Sequence, residues 1–283
     1  MEYSPQPNPY NTMKALLAAL LLGSAALAAS AQSVPAFTST CDEGHWSNSG
    51  QSRYCETRDL TLPAVKSGPL TVDGQRNGGI SVKGYSGTEV RVRVKVQAWA
   101  TDEAMAKAKV GAVQISTANN TLRATGPDES GTTNSGYSVS YELLVPEKQD
   151  LALTTHNGGI SIANVRGAVT FAAQNGGVNI SGDGGDVRGT TRNGGLNITL
   201  SGKKWDGKGL DVTTTNGGIN WKVPQDYSAQ LFTSTQHGPI NTDFPVNVQG
   251  RIGREIALNL GKGGTSVRAV TTNGGINVSR AGK

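Results

Sequence analysis

From Leu151 onward, apolar and polar residues alternate in short runs that are interrupted at near-regular intervals by Asn-Gly-Gly. Leu151 and Leu153 alternate with polar or small residues before the bend and Ile160 and Ile162 after it, as do Phe171 before and Val178 and Ile180 after, and then Val187 before and Leu196, Ile198 and Leu200 after. Thr, Asn, Ser and Arg fill most positions between. A period of two marks a half-buried strand, so each unit predicts two short strands around a bend. The bends read Asn77-Gly78, Asn157-Gly158, Asn175-Gly176, Asn193-Gly194, Asn216-Gly217 and Asn273-Gly274. A variant stands at His237-Gly238, where Pro239 replaces the second glycine. The copies at 157, 175 and 193 lie 18 residues apart, with gaps of 23 to Asn216 and 21 to His237. One more, eroded copy is expected near Arg254. A period near 20 points to stacked β units. Four aliphatics cannot offset the entropy of ordering one such unit, so no unit stands alone.

Two architectures fit the pattern. Asn-Gly suits a two-residue hairpin, giving an antiparallel meander. The alternative is a β-solenoid with the bends stacked as corners. Both place the same side chains inward. Pro239 favours the solenoid, because the second-glycine position of a hairpin turn donates a hydrogen bond and proline has no N–H. The fold class expected is therefore all-β, a β-solenoid, right-handed by the crossover rule. Asn and Gly are expected at the corners because they accept a left-handed backbone. The Asn side chains would form one ladder up the stack, with a second through Asn179, Asn197, Asn220, Asn241 and Asn277.

The N-terminal part is less regular. Residues 88–99 read as one long strand. Residues 101–110 read as a helix with Thr101 as N-cap and Gly111 as stop, able to cap one end of the stack. Residues 126–136 read as a polar loop.

Residues 13–31 carry a lysine, an apolar run and Ala29-Ser30-Ala31, the layout of a secretory signal. Met13 is a candidate start. The division expected is a signal at 1–31, a disulfide-containing segment at 32–60 and the solenoid at 61–280. Export makes Cys41 and Cys55 a disulfide pair. No later segment is apolar enough to span a bilayer, so the mature chain is expected in the periplasm, at the cell surface or outside the cell. The net charge of +5 leans toward anionic partners.

"CDEGHWSNSGQSRYC", "LRATGP" at 122–127, "VSYELLVP" at 139–146 and the serial Asn-Gly-Gly-Ile turns resemble the bacterial putative-adhesin domain family. The resemblance runs from about Cys41 to Val278. It implies an exported β-solenoid and brings no catalytic residues with it.

Candidate chemistry is sparse. His156 falls in a column with Gln174 and Arg192, with no acid or nucleophile beside it. The position five before each corner Asn reads Ala152, Thr170, Arg188 and Asp211, so no acidic column forms for glycan cleavage. Asp183 and Asp186 resemble a calcium turn, but they occur once and at the wrong spacing. Two features could face a ligand. Arg91, Arg93 and Lys95 give one strand a basic face, which alternatively guards a sheet edge. Lys203 and Lys204 flank Trp205 in an insertion, where Trp205 either protrudes or folds down over a coil edge.

The function expected is an exported, non-catalytic solenoid acting in adhesion or envelope interactions. It needs no cofactor or metal, and its partner is an anionic glycan or envelope component and not nucleic acid. Two alternatives each make a structural demand. An enzyme on anionic polysaccharide needs a groove gathering Asp206 or Asp211 with basic residues. A structural or regulatory partner of envelope proteins needs an exposed apolar coil at Gly274–Val278.

Overall fold

The alternating runs become strands of two ten-stranded sheets, A and B, with their apolar faces turned toward each other. A computed structural model describes residues 1–2, 34–41, 50–128, 134–244 and 254–281. The chain divides into Met1–Ser33 and Val34–Lys283. The signal segment lies outside the described residues apart from Met1 and Glu2, as does the candidate start Met13. All the strands belong to the second unit.

The first strands are β1 (Ser52–Pro63), β2 (Leu70–Asp73), β3 (Ile80–Tyr85) and β4 (Glu89–Ala100), followed by helix α1 (Glu103–Ala112). Next come β5 (Gln114–Ser116), β6 (Thr121–Thr125) and β7 (Gly136–Pro146). The regular units are β8 (Leu151–Asn157) with β9 (Ile160–Ala163), and β10 (Ala168–Asn175) with β11 (Val178–Ser181). They continue through β12 (Asp186–Asn193) with β13 (Leu196–Thr199), and β14 (Gly209–Asn216) with β15 (Ile219–Val223). The last strands are β16 (Ala229–His237), β17 (Ile240–Thr242), β18 (Glu255–Leu260), β19 (Ser266–Asn273) and β20 (Ile276–Arg280).

Each regular unit sends its longer strand to sheet B, turns at Asn-Gly-Gly, and sends its shorter strand to sheet A. Neighbouring units pair in parallel and in register: Asn157, Asn175, Asn193, Asn216 and Asn273 are successive partners. Parallel pairing around the bends excludes the hairpin meander. The chain is an all-β solenoid.

The spatial order of coils departs from chain order at both ends. It runs β6/β7, β2/β3, β8/β9, β10/β11, β12/β13, β14/β15, β19/β20 and β16/β17. The coil carrying Asn273 is therefore inserted between those carrying Asn216 and His237. Two expectations fall here. Gly274–Val278 is not an exposed end, because β20 is flanked by β15 and β17 and its Ile276 and Val278 are buried. Nor does Arg254 begin a further coil: it leads into β18, which runs antiparallel along β16. At the opposite end β1 and β4 add antiparallel strands to sheet A, and β5 adds one to sheet B.

Helix α1 begins two residues later than expected. Asp102, not Thr101, is its N-cap: Oδ1 accepts the Met105 N–H at 2.8 Å. A carboxylate is the stronger acceptor at this position. Gly111 lies inside the helix, and Val113 caps it. Ala106 and Val110 are buried where α1 packs against β1 and β4.

The core is a slender aliphatic column that adjusts its volume coil by coil. Phe171 fills the space that its neighbour Gly189 leaves: a Cβ on Gly189 would enter the Phe171 ring. Trp221 occupies the slot held by Ile198 in the preceding coil, and its indole N–H donates to Thr233 Oγ1 at 3.3 Å. That hydroxyl donates in turn to the Ala269 carbonyl at 2.8 Å, so the buried indole is not left without a partner.

Candidate functional site

The corners set the geometry of every outer surface. Asn157 Nδ2 donates to Asn77 Oδ1 at 3.0 Å, and Asn175, Asn193, Asn216 and Asn273 each donate to the preceding ladder member at 2.8 Å. Because Asn273 Nδ2 is a donor, His237 Nδ1, at 3.1 Å from Asn273 Oδ1, must carry the proton of that bond. The second ladder forms between Asn179, Asn197 and Asn220 at 2.9 Å per bond. Asn277 and Asn241 continue its register.

The reason for the corner glycines differs from the expected one. No corner Asn has positive φ, and of the first-position glycines only Gly238 does, at 158°. The constraint is steric. A Cβ on Gly158, Gly176, Gly194, Gly217 or Gly274 would collide with the carbonyl oxygen of the first-position glycine one coil below. The second glycine has more room: a Cβ on Gly177 would sit 3.4 Å from Gly195 O. The backbone ladder uses the first glycine's N–H and the second residue's C=O, as in Gly274 N to His237 O and Ile276 N to Pro239 O, both 2.9 Å. Pro239 therefore occupies a position whose N–H the ladder does not need. The first glycine's carbonyl receives a hydroxyl from the next coil. Thr155, Thr191, Thr214, Thr271 and Thr235 donate to Gly78, Gly176, Gly194, Gly217 and Gly274 at 2.6–2.8 Å. Ala173 breaks this series.

Just before each corner the outer surface of sheet B is concave. A groove of about 610 Å³ crosses five consecutive coils, β2, β8, β10, β12 and β14. Thr154, Ala172, Thr190 and Thr213 line one column, and His156, Gln174, Arg192 and Thr215 the other. The column anticipated around His156 thus becomes one wall of the groove. Asp73 is the carboxylate in the lining; it accepts the Gln75 N–H at 2.9 Å and lies 3.5 Å from Arg123. Asp211 and Asp206 do not meet there. Asp211 pairs with Arg268 at 2.6 Å, and Asp206 with Arg166 at 3.2 Å on the loop side of the solenoid.

The basic strand is not an open face, and β4 is not an edge, because it lies between β1 and β7. Arg93 makes a two-pronged bond to Asp59, both contacts 2.8 Å, which holds the Asp59 carboxyl below its usual range. Phe37 lies 4.8 Å from the Arg93 guanidinium and 5.8 Å from that of Arg91. Lys95 is 7 % exposed. Residues 34–41 form a strap along this region, ending in the disulfide of Cys41 with Cys55. Glu142 anchors the strap by accepting Thr38 N at 2.8 Å and Ser39 N at 2.8 Å, besides both hydroxyls. Burial pushes the Glu142 carboxyl up, but these bonds outweigh it and hold it low. The strand therefore presents no open basic surface: Phe37 of the strap lies against Arg91 and Arg93, Asp59 holds Arg93, and Lys95 is buried.

Trp205 folds down and does not protrude. It is 3 % exposed, and its indole N–H donates to Gly185 O at 3.0 Å. Lys203 and Lys204 beside it remain exposed. On this side Asp183 Oδ1 accepts the Val165 N–H at 2.6 Å, while Oδ2 is buried without a partner. Burial pushes this carboxyl up to about 7. Among the described residues no cluster of three or more His, Cys, Asp or Glu could hold a metal ion, and no helix is long and apolar enough to cross a membrane.

Residues 52–279 match the Toastrack DUF4097 family. The chain belongs to that family. Among solved structures, this Toastrack chain is similar to one from Clostridium sporogenes described as a putative cell adhesion protein, at 12 % identity and TM-score 0.37, covering 80 % of this chain and 100 % of that one. A putative adhesin from Bacteroides fragilis gives 11 % identity and TM-score 0.31, covering 81 % and 98 %. A putative lipid binding protein from Parabacteroides distasonis gives 12 % and 0.33, covering 79 % and 96 %. No curated protein matches.

Proposed function

We propose that this Toastrack protein is an exported, non-catalytic solenoid of the bacterial envelope that binds an extended polar polymer in the sheet B groove. The observation that carries the reading is the groove's repetition. Five coils at a rise of about 4.8 Å each present hydroxyl, imidazole, amide and guanidinium groups in two parallel columns. That rise is close to the length of one hexopyranose in an extended chain, so successive sugars would meet successive coils. Cleavage of a glycosidic bond uses two convergent carboxylates, whereas the groove lining has Asp73 alone, already engaged. Export is supported by the disulfide and by the signal-like layout of residues 13–31.

A glycan array on the mature chain tests the reading, beside an Arg192→Ala/Gln174→Ala double variant in the groove. Binding to extended polysaccharides that the variant loses is the expected result. Silence on every glycan, or release of shortened products from a bound one, would refute it.

A further inference from the structure

We infer that the loop side of the solenoid carries a second docking site, for an anionic polysaccharide, built from Lys203, Lys204, Lys208 and Lys262 around Ser228. This site shares no residue with the sheet B groove and does not depend on it.

Chain segments far apart in sequence are held together here by their main chains. Ser228 N donates to Lys203 O at 2.8 Å, and Lys204 forms a parallel bridge with Ser228. Lys262 N donates to Ser228 Oγ at 3.2 Å, which brings the β18–β19 loop against the same point. Thr265 Oγ1 donates to Gly207 O at 3.4 Å, tying that loop to the residue before Lys208. All four lysines are exposed. The nearby acids do not balance them: Asp206 is engaged with Arg166 and Asp186 with Arg188, leaving Asp226.

The platform is rigid because Trp205 is an anchor. Its buried indole bonds Gly185 O, Gly185 N donates to Asp206 O at 2.7 Å, and Gly209 N donates to Gly185 O at 3.1 Å. The insertion that lengthens this unit therefore leaves its lysines on a fixed base, so little further ordering is needed on binding. Clustered ammonium groups recognise sulfate, carboxylate or phosphate. The surroundings favour a polysaccharide as the bearer. A membrane surface calls for apolar side chains to insert, and the exposed large hydrophobics among the described residues are Met1, Val34 and Met105. Single-stranded nucleic acid calls for exposed aromatic rings on which bases stack, and the aromatic ring of this loop is buried.

The test uses the mature chain with dextran sulfate and polygalacturonate as sulfate- and carboxylate-bearing probes, and neutral dextran, duplex DNA and phosphatidylglycerol vesicles as comparisons. Binding to either acidic polysaccharide, weakening as salt rises, is expected. A Lys203→Gln/Lys204→Gln/Lys262→Gln variant should bind about tenfold or more weakly. A control that removes equal charge elsewhere, Lys66→Gln/Lys83→Gln/Lys148→Gln, should bind within about twofold of the unmodified chain. The lysine changes are also made in the groove variant Arg192→Ala/Gln174→Ala, where they should still weaken binding about tenfold or more, which separates failure here from failure of the groove. Equal weakening in the control, tighter binding to DNA or vesicles, or no binding to either acidic polysaccharide at low salt would overturn the assignment.

Discussion

At the corner, one hydrogen atom in place of a methyl group decides whether two coils can touch. Gly176→Ala would drive a Cβ into the Gly158 carbonyl, a backbone atom that cannot move without its whole coil. Overpacking of this kind destabilises by about 1–3 kcal/mol or more. Gly177→Ala, with 3.4 Å to its nearest neighbour, should be far milder, and chemical denaturation of the two variants checks the difference. The threonine series offers the opposite test. Ala173→Thr would supply the hydroxyl that the Gly158 carbonyl lacks and should stabilise by about 0.5–1.5 kcal/mol. Asp183 links stability to pH. Its folded carboxyl titrates near 7, against 3.8 for an ordinary Asp, because burial disfavours the charge. Between those values the folded chain binds the extra proton, so this contribution is full below 3.8 and is lost as pH rises through about 7. Asp183→Asn should therefore gain on the unmodified chain by about 2–4 kcal/mol between about pH 4 and 7.5, read from paired melting curves. Sequence revealed which residues stand at the corners but not why, because a collision between coils is invisible until the coils are stacked. The buried threonines escaped notice for a related reason. Thr155 has the parity of Leu151 and Leu153, and polarity masked its inward position.

Elements formed where the alternation was clean and departed from expectation where long-range pairing intervened. The strands around Asn157, Asn175 and Asn193 were legible because each unit repeats the same inward aliphatics. The insertion of β19/β20 ahead of β16/β17 was not, since equivalent corners carry no label of which neighbour they will meet. The strap of residues 34–41 was equally hidden. Its partners Glu142 and Arg93 lie about a hundred and about fifty residues away in sequence, and no local pattern joins them. Arg93 consequently looked free. Reducing the Cys41–Cys55 disulfide should loosen the strap, lowering stability by about 3 kcal/mol on the chain-entropy account. Hydrogen exchange should then rise at Thr38 and Ser39 while the corner amides stay protected, a split that mass spectrometry of peptic peptides resolves.

Over the whole molecule, identical corners produce identical surfaces: a polar groove across sheet B, an amide array on sheet A, and loops free to vary. The insertion holding Trp205 exploits that freedom, yet its indole turned inward because Gly185 offers a carbonyl in a buried place. The ring was legible as a notable residue, but its direction depended on the coil beneath. Groove and lysine platform both rest on the same premise, that coils lie in parallel register in the order described. Electron–electron resonance between spin labels tests it directly. Ser161, Asn179, Asn197, Asn220, Asn277 and Asn241 are successive partners in sheet A. At about 4.8 Å per coil, labels at 161 and 277 should lie ~19 Å apart, and labels at 161 and 241 ~24 Å apart, before allowing for label linkers. The 277 label should be nearer by one coil, although it is the more distant in sequence. A shorter distance to 241 than to 277, or broad distributions at both, would contradict the stacked arrangement.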